Sequence, residues 1–535
     1  MRHKSTILSI PGILGFLFLI LHLVGIIVYS AKATNDVDRV VDDNEYTKMW
    51  INVVGFVLVS QGLFVVSREY SSTRVLRTPL VWIIYSAIMT IFTIMLFASY
   101  ISVGESGTAV WALTLLGGSL LCLVYSMKAR RGYFVDSIMD IPHHRLVNEN
   151  SGPADMVSGF MDYVFVWVTI LFVFVFGFFL VLQGLWYAAD RGNFPARGER
   201  VEVSVNHTDS YRLHVYCKGP SVTDKPTYVI HNEEGSPYTT LLALQSSLSN
   251  RNRRVCIYDR PGYGWSEPGY VAQTPIYVIH SLKNALESLN DKGPYIMLGY
   301  GAGGEYAQLF THVYPTVVEG VGLIDSYPNR DALYAYAMNM TGTEAYDDYV
   351  SSVSNYFQSR RVISPMAWQR PLNDDFPGFQ PKENLREHIS LYSTNNHWQA
   401  RYFEYDGCGC RAYQALQGFR DQNTTDYLRA QAWPFTWPAL PKPYPSDPYT
   451  PDLPVLVIAA NQTINKGCDS TGDSAVSYRC QTDLAEQNVL RRQRDLHVAT
   501  LSNNIRSVEC PGNCDHNLVY TSADWVSGEI VNWFG

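Results

Sequence analysis

The placement of apolar residues constrains this chain more than any single motif does. Five long hydrophobic runs crowd the first 190 positions, near 11–29, 49–66, 79–101, 108–127 and 160–186, and the remainder has the pattern of a globular domain. About 20 apolar helical residues cover the hydrocarbon core of a bilayer. A single run of this kind could be a buried soluble helix. Five in one region predict a multi-pass membrane segment. The second run is the weakest, because Ser60 and Gln61 interrupt it. The first follows Met1-Arg2-His3-Lys4, as a signal peptide would, but its apolar stretch exceeds the ~7–15 residues of a signal core and favours a retained anchor.

Charge gives these crossings a direction. Arg2 and Lys4 precede the first run, Arg68, Arg74 and Arg77 lie between the second and third, and Lys128, Arg130, Arg131 and Arg145 follow the fourth. Basic flanks stay on the cytoplasmic side. Five crossings from a cytoplasmic N-terminus then carry everything after about residue 187 to the extracellular or luminal side. Four N-x-S/T sequons, at Asn206, Asn339, Asn423 and Asn461, fall in that part and are the glycosylation candidates. Eight of the nine cysteines fall there too: Cys217, Cys256, Cys408, Cys410, Cys468, Cys480, Cys510 and Cys514. An even number in an oxidising compartment predicts disulfides, whereas Cys122, in the fourth run, is expected to pack. Cys408-Gly409-Cys410 could suggest a metal site, but outside the cell disulfide use is the better expectation, and neither metal nor cofactor is predicted. A net charge of −8 with no run of lysines and arginines excludes a nucleic-acid partner. In the membrane region, His22, Gln61 and Asp162 are the polar positions, and they outline no charged pathway.

From about 199 the sequence alternates strand-like and helical segments, as a doubly wound α/β sheet requires. Val201–Val205 and Tyr211–Cys217 read as an opening hairpin. Tyr228–His231, Val255–Tyr258, Tyr295–Leu298, Val321–Ile324, Val455–Ala459 and Ile505–Val508 are short apolar runs suited to buried parallel strands. Helical periodicity occupies 273–289, 303–313, 481–497 and 521–534. Between Asp325 and Pro454 lies a long segment rich in tyrosine and tryptophan, in which Asn384–Ser393 and Arg411–Arg420 read as helices.

Four signals in fixed order carry a resemblance to the α/β-hydrolase family over roughly residues 199–535. Ile230-His231-Asn232 is similar to the turn after the third strand that helps build an oxyanion hole. Tyr258-Asp259-Arg260-Pro261-Gly262-Tyr263-Gly264-Trp265-Ser266 matches the family's D-R-P-G-x-G-x-S segment. Gly299-Tyr300-Gly301-Ala302-Gly303 stands where the G-x-S-x-G nucleophile elbow belongs, and Asp515-His516-Asn517 where the family keeps its catalytic histidine. The resemblance implies a helical cap in the tyrosine-rich insert. It divides the chain into a membrane region over 1–190, a hydrolase core over 191–326 and 454–535, and a cap over 327–453.

The resemblance also locates a defect. In the family the elbow serine attacks a carbonyl, histidine takes its proton and an acid orients the imidazole. Here Gly301 occupies the nucleophile position and offers no atom for attack. Ser266 and Ser326 stand elsewhere. His516 remains. The acid position past the seventh strand reads as Thr463; Asp469 and Asp473 lie further along, and Asp325, at the end of the sixth strand, is an alternative that some family members use. The oxyanion donors implied by the resemblance are the N–H groups of Asn232 and Ala302. The serine-free elbow also resembles that of the non-catalytic N-myc downstream-regulated proteins, which have no such membrane region. Two functions follow as expectations: a pseudoenzyme displayed from the bilayer that binds a protein partner or lipid-like ligand, or an active esterase, lipase or peptidase in which another group attacks.

Overall fold

The computed structural model describes residues 10–35, 44–68, 79–138, 153–204, 210–221, 225–269, 275–326, 355–367, 370, 379–405, 452–460, 502–512 and 514–535. The positions Asn206, Asn339, Asn423, Asn461, Cys408, Cys410, Cys468, Cys480, Thr463, Asp469 and Asp473, and the segments 411–420 and 481–497, lie outside the described residues. The chain divides into two compact units. One holds Met1–Asp36, Asn44–Pro195 and Val362–Gln369; the other holds Val37–Asp43, Ala196–Arg361 and Arg370–Gly535.

In the first unit the apolar runs become helices α1 (Ile10–Asn35), α2 (Glu45–Arg68), α3 (Pro79–Ser102), α4 (Ser106–Ile138) and α5 (Pro153–Asn193). Four of them, α1, α3, α4 and α5, are long and apolar enough to cross a membrane. Helix α2 differs for a reason visible in its packing. Its polar residues Glu45, Lys48, Asn52 and Gln61 are buried alongside Ile51, Val54 and Leu58, so it faces neighbours on most sides. In an apolar setting each buried polar group needs an internal partner. Asn52 Oδ1 lies 2.9 Å from His22 Nδ1 of α1, and the Tyr85 hydroxyl of α3 donates to Gln61 Oε1 at 3.1 Å. By contrast α1 turns Leu17, Ile20 and Ile27 outward, each more than half exposed, as a lipid-facing surface does.

The second unit is built on an eight-stranded sheet: β1 (Glu199–Ser204), β2 (Ser210–Lys218), β3 (Thr227–His231), β4 (Val255–Tyr258), β5 (Tyr295–Tyr300), β6 (Val318–Ile324), β7 (Val455–Ala459) and β8 (Ile505–Glu509). The spatial order is β1-β2-β4-β3-β5-β6-β7-β8. The first two strands form an antiparallel hairpin, β2 pairs antiparallel with β4, and the remaining pairs are parallel. Strands buried on both faces read as continuous apolar runs, and β3, β5 and β7 are buried throughout. Alternate side chains feed two core layers. Val229, Met297, Val321 and Val457 meet α7 (Pro275–Ser288) and α8 (Gly303–Val313) on one face. Ile230, Leu298, Ile324 and Ile458 meet α6 (Leu242–Asn250) and the C-terminal helix Ala523–Phe534 on the other.

Two disulfides join described residues. Cys217 and Cys256 face each other across the β2–β4 ladder, and Cys510 and Cys514 bracket the turn after β8. The described residues of the aromatic insert include a helix over 355–363 and the helices α9 (Leu385–Tyr392) and α10 (Asn395–Tyr405).

Candidate functional site

The parallel strands end side by side, and their connecting turns form one rim. Ligands of open α/β sheets gather outside these carboxyl ends. At the end of β5 the backbone turns sharply into α8 through Gly301, whose φ is +54°. Its N–H donates to Ile324 O at 3.1 Å, and its carbonyl accepts from Gly304 N–H at 3.1 Å, so the bend is fixed from both sides. A residue with a Cβ would hold this left-handed conformation at a cost of about 1–3 kcal/mol; glycine does so freely.

Three side chains converge above this bend. His516 follows the Cys510–Cys514 turn. Asp325 follows β6, with its N–H bonded to Ile458 O at 2.7 Å and its own φ at +40°. Asp325 Oδ2 lies 2.7 Å from His516 Nδ1, while Oδ1 accepts from Ala460 N–H at 3.0 Å. The third group is Glu233, from the loop after β3, whose Oε1 lies 2.9 Å from His516 Nε2. A Cβ built on Gly301 would stand 3.0 Å from Glu233 Cγ. Glu233 therefore fills the space that a side chain at 301 would claim. The imidazole is held between two carboxylates and stacked on Tyr300, with ring centres 4.9 Å apart. These three side chains are 14–27% exposed, so the site is partly open to water.

A drier network lies beneath. Arg260, at the end of the β4 turn, donates to the carbonyls of Asn232 at 2.6 Å and Glu233 at 2.7 Å. Its Nε also meets Glu404 of α10 at 2.8 Å. The hydroxyls of Tyr263 and Tyr306 donate to the same carboxylate at 2.5 and 3.0 Å. Burial opposes the Arg260 cation, but Glu404 and the surrounding tyrosines hold its pKa above the ordinary value. Burial, then Glu404, pushes Tyr263 and Tyr306 well up, so both remain donors. His231 is buried beside them, and burial, reinforced by Arg260, lowers it to about 3; it is a neutral packing group bonded to the Tyr258 hydroxyl at 2.9 Å.

The structure thus brings together Gly301, His516 and Asp325, with Asn232 and Ala302 flanking the bend; Asp469 lies outside the described residues. Glu233 and Glu404 are contributors that sequence reasoning missed. A signal for the first existed in the run Asn232-Glu233-Glu234, where a carboxylate pair follows the oxyanion turn opposite a bare glycine. Nothing in the sequence tied Glu404, 144 positions away, to Arg260. Chemically, the cluster can exchange a proton between His516 and Glu233, and it offers no hydroxyl or thiol at 301 for serine-type acyl transfer.

The strand order, the bend after β5 and the histidine after β8 define the class: an α/β-hydrolase-like sheet in an integral membrane protein. No family model matches the chain. An uncharacterized vacuolar membrane protein of Saccharomyces cerevisiae is 29% identical over 150 residues, covering 25% of this chain and 23% of the relative. An uncharacterized protein of Schizosaccharomyces pombe is 34% identical over 73 residues, 14% of either chain. An uncharacterized protein of Bacillus subtilis is 27% identical over 124 residues, 23% of this chain and 37% of its own length. The chain thus matches between about a seventh and just over a third of these relatives. Among solved structures, the Cif epoxide hydrolase of Acinetobacter nosocomialis is 14% identical with a TM-score of 0.42, covering 66% of this chain and 96% of that one. An enol-lactonase of Burkholderia xenovorans is 15% identical with a TM-score of 0.34, covering 60% and 96%. The fold assignment rests on this chain's own strand order.

Proposed function

We propose that the chain is a five-pass membrane protein that displays a non-catalytic hydrolase-fold domain outside the cytoplasm, where its cleft holds a lipid-like ligand or a protein partner. The N-terminus is cytoplasmic, the core spans 191–326 and 454–535, the segment 327–453 caps it, and Asn206, Asn339, Asn423 and Asn461 are open to glycosylation. The vacuolar membrane address of the yeast relative suits a luminal domain. One observation carries the reading: Gly301 has no side chain, and Glu233 occupies the His516 nitrogen that would otherwise take a nucleophile's proton. Treating the native protein with a fluorophosphonate probe is expected to give no adduct, and ester turnover is expected to be unaffected by His516→Ala. Labelling, or turnover that vanishes in that variant, overturns the proposal.

The same carboxylate favours a second reading, a hydrolase in which a Glu233 oxygen attacks an electrophilic substrate carbon. The carbon–oxygen bond there breaks with its oxygen leaving as an alcohol, and water then attacks the Glu233 carboxyl carbon to free the glutamyl ester. A single turnover in oxygen-18 water would then leave the heavy isotope in Glu233. Its absence from the Glu233 peptide after turnover removes this reading.

A further inference from the structure

Glu233 is seated by the chain itself. Its side chain meets the imidazole at a partly wet surface, 27% and 16% exposed, where a bond exchanges readily with water. Its backbone, in contrast, is pinned in the dry layer. Arg260 binds the carbonyls of Asn232 and Glu233 and pairs with Glu404, the two charged side chains being 3% and 8% exposed. The same helix presses the loop at a second point, because a Cβ on Gly235, where φ is +72°, would stand 2.8 Å from the Arg401 guanidinium carbon. Arg401 is itself tied to the Tyr392 hydroxyl of α9 at 2.6 Å. A buried charge pair resists separation, since either partner left alone would be an uncompensated charge. The dry pair therefore sets where the wet carboxylate sits.

We propose that Glu233 is an internal stopper of the cleft and that the Glu404–Arg260 pair is the latch that seats it. A ligand reaches His516 only by displacing Glu233, and displacement becomes easy when α10 lets go of the loop after β3. This rests on the reading of the cleft as a non-covalent binding site, yet it is tested without turnover or ligand.

The experiment is carbethoxylation by diethyl pyrocarbonate of the full-length protein in detergent, with the rate at each histidine followed by peptide mass spectrometry. In the native protein His516 is expected to react slowly. Glu233→Ala is expected to raise its rate about tenfold, the factor that goes with loss of one charge-assisted hydrogen bond at a half-wet site. Glu404→Gln is expected to raise it about threefold by loosening the loop, a fraction of the direct effect. Fully buried His231 is the internal reference and stays unreactive while the fold holds. Should Glu233→Ala fail to fold, Glu233→Gln, of the same shape, is expected to accelerate His516 about threefold. A native rate at His516 in the folded Glu233 variant overturns the stopper. Acceleration with Glu233→Ala but a native rate with Glu404→Gln overturns the latch. Fluorophosphonate labelling of the native protein would overturn the binding reading while leaving this measurement intact.

Discussion

The turn after β4 and the turn after β5 lie two strands apart on the same rim, and they are held in different ways. The first is the Asp259–Ser266 segment, whose two ends are held by internal bonding. Buried Asp259 accepts from Tyr238 N–H at 2.7 Å and Trp265 N–H at 3.0 Å, and lies 2.7 Å from His214 Nδ1. The Ser266 hydroxyl donates to Asp259 O at 2.7 Å and accepts from His214 N–H at 2.9 Å. The second turn keeps the same backbone bend yet carries no side chain at its tip. The first turn is braced by side-chain bonds, and the second is fixed by backbone bonds around a bare glycine. Likeness to an enzyme in the first turn therefore says nothing about chemistry in the second.

The comparison breaks most visibly if the first turn can be damaged at no cost. Asp259→Ala removes one carboxylate that answers three partners and leaves buried donors unpaired. A loss of about 3–5 kcal/mol is expected from chemical denaturation, in the range for breaking a buried charged network. Stability near native would mean that the segment is not the brace described here.

The disulfides sharpen the contrast between scaffold and site. Cys217 and Cys256 are 39 residues apart, and their bond removes more freedom from the unfolded chain than the Cys510–Cys514 bond, with a separation of 4. In the chain-entropy picture, replacing the first pair by serines costs about 4 kcal/mol and the second about 2 kcal/mol. Melting of the two variants measures the order. The second replacement also loosens the turn before His516, so its carbethoxylation should rise while the core remains intact.

Acid separates scaffold imidazoles from the site imidazole. Burial lowers His388 to about 3, and burial with Arg260 lowers His231 likewise. Both bind a proton more readily when unfolded, near the ordinary value of about 6.5. Their contribution to stability is therefore full above that pH and is lost progressively as pH falls toward about 3. Each removes about 1.4 kcal/mol per pH unit well below the unfolded value; from pH 6.5 to 5.5, where the unfolded imidazole is still taking up its proton, each removes about 1 kcal/mol and the pair about 2 kcal/mol. Denaturant titrations at the two pH values measure the loss, and His388→Gln should reduce it by about 1 kcal/mol. An unchanged loss would mean that His388 is not the neutral buried group described.

How much of this was legible follows from how local each determinant is. The strands could be read because strands buried on both faces are continuous apolar runs, and β3, β4 and β7 match their predicted runs to within a residue. Helix α6 escaped notice, since its run Leu242–Asn250 is short and serine-rich and gains its order from packing under β4. Gly301 was legible because its neighbours are a fixed-spacing motif. Glu233 was not, because its role depends on a fold that sets it beside a histidine 283 positions away. Helix α2 reads weakly for a related reason: its Asn52 Oδ1 and Gln61 Oε1 find partners on α1 and α3, which a hydropathy count cannot register.

The smallest expected effect tests the bend itself. Gly301→Ala adds a methyl group at φ +54° and 3.0 Å from Glu233 Cγ, and both strain and crowding oppose it. Glu233 is a flexible side chain that can yield, so the loss should stay at about 1–2 kcal/mol, mostly from the backbone. Gly301→Ser should cost slightly less, because its hydroxyl can donate to the displaced carboxylate and recover part of a hydrogen bond. That same contact should keep it silent toward esters: the new oxygen meets Glu233 before it meets His516. Combining Gly301→Ser with Glu233→Ala then frees the imidazole, and only the double variant should form a fluorophosphonate adduct. Immediate labelling of Gly301→Ser alone would mean that His516 was available all along, and the two turns would differ by a single missing side chain rather than by a site that the chain has closed upon itself.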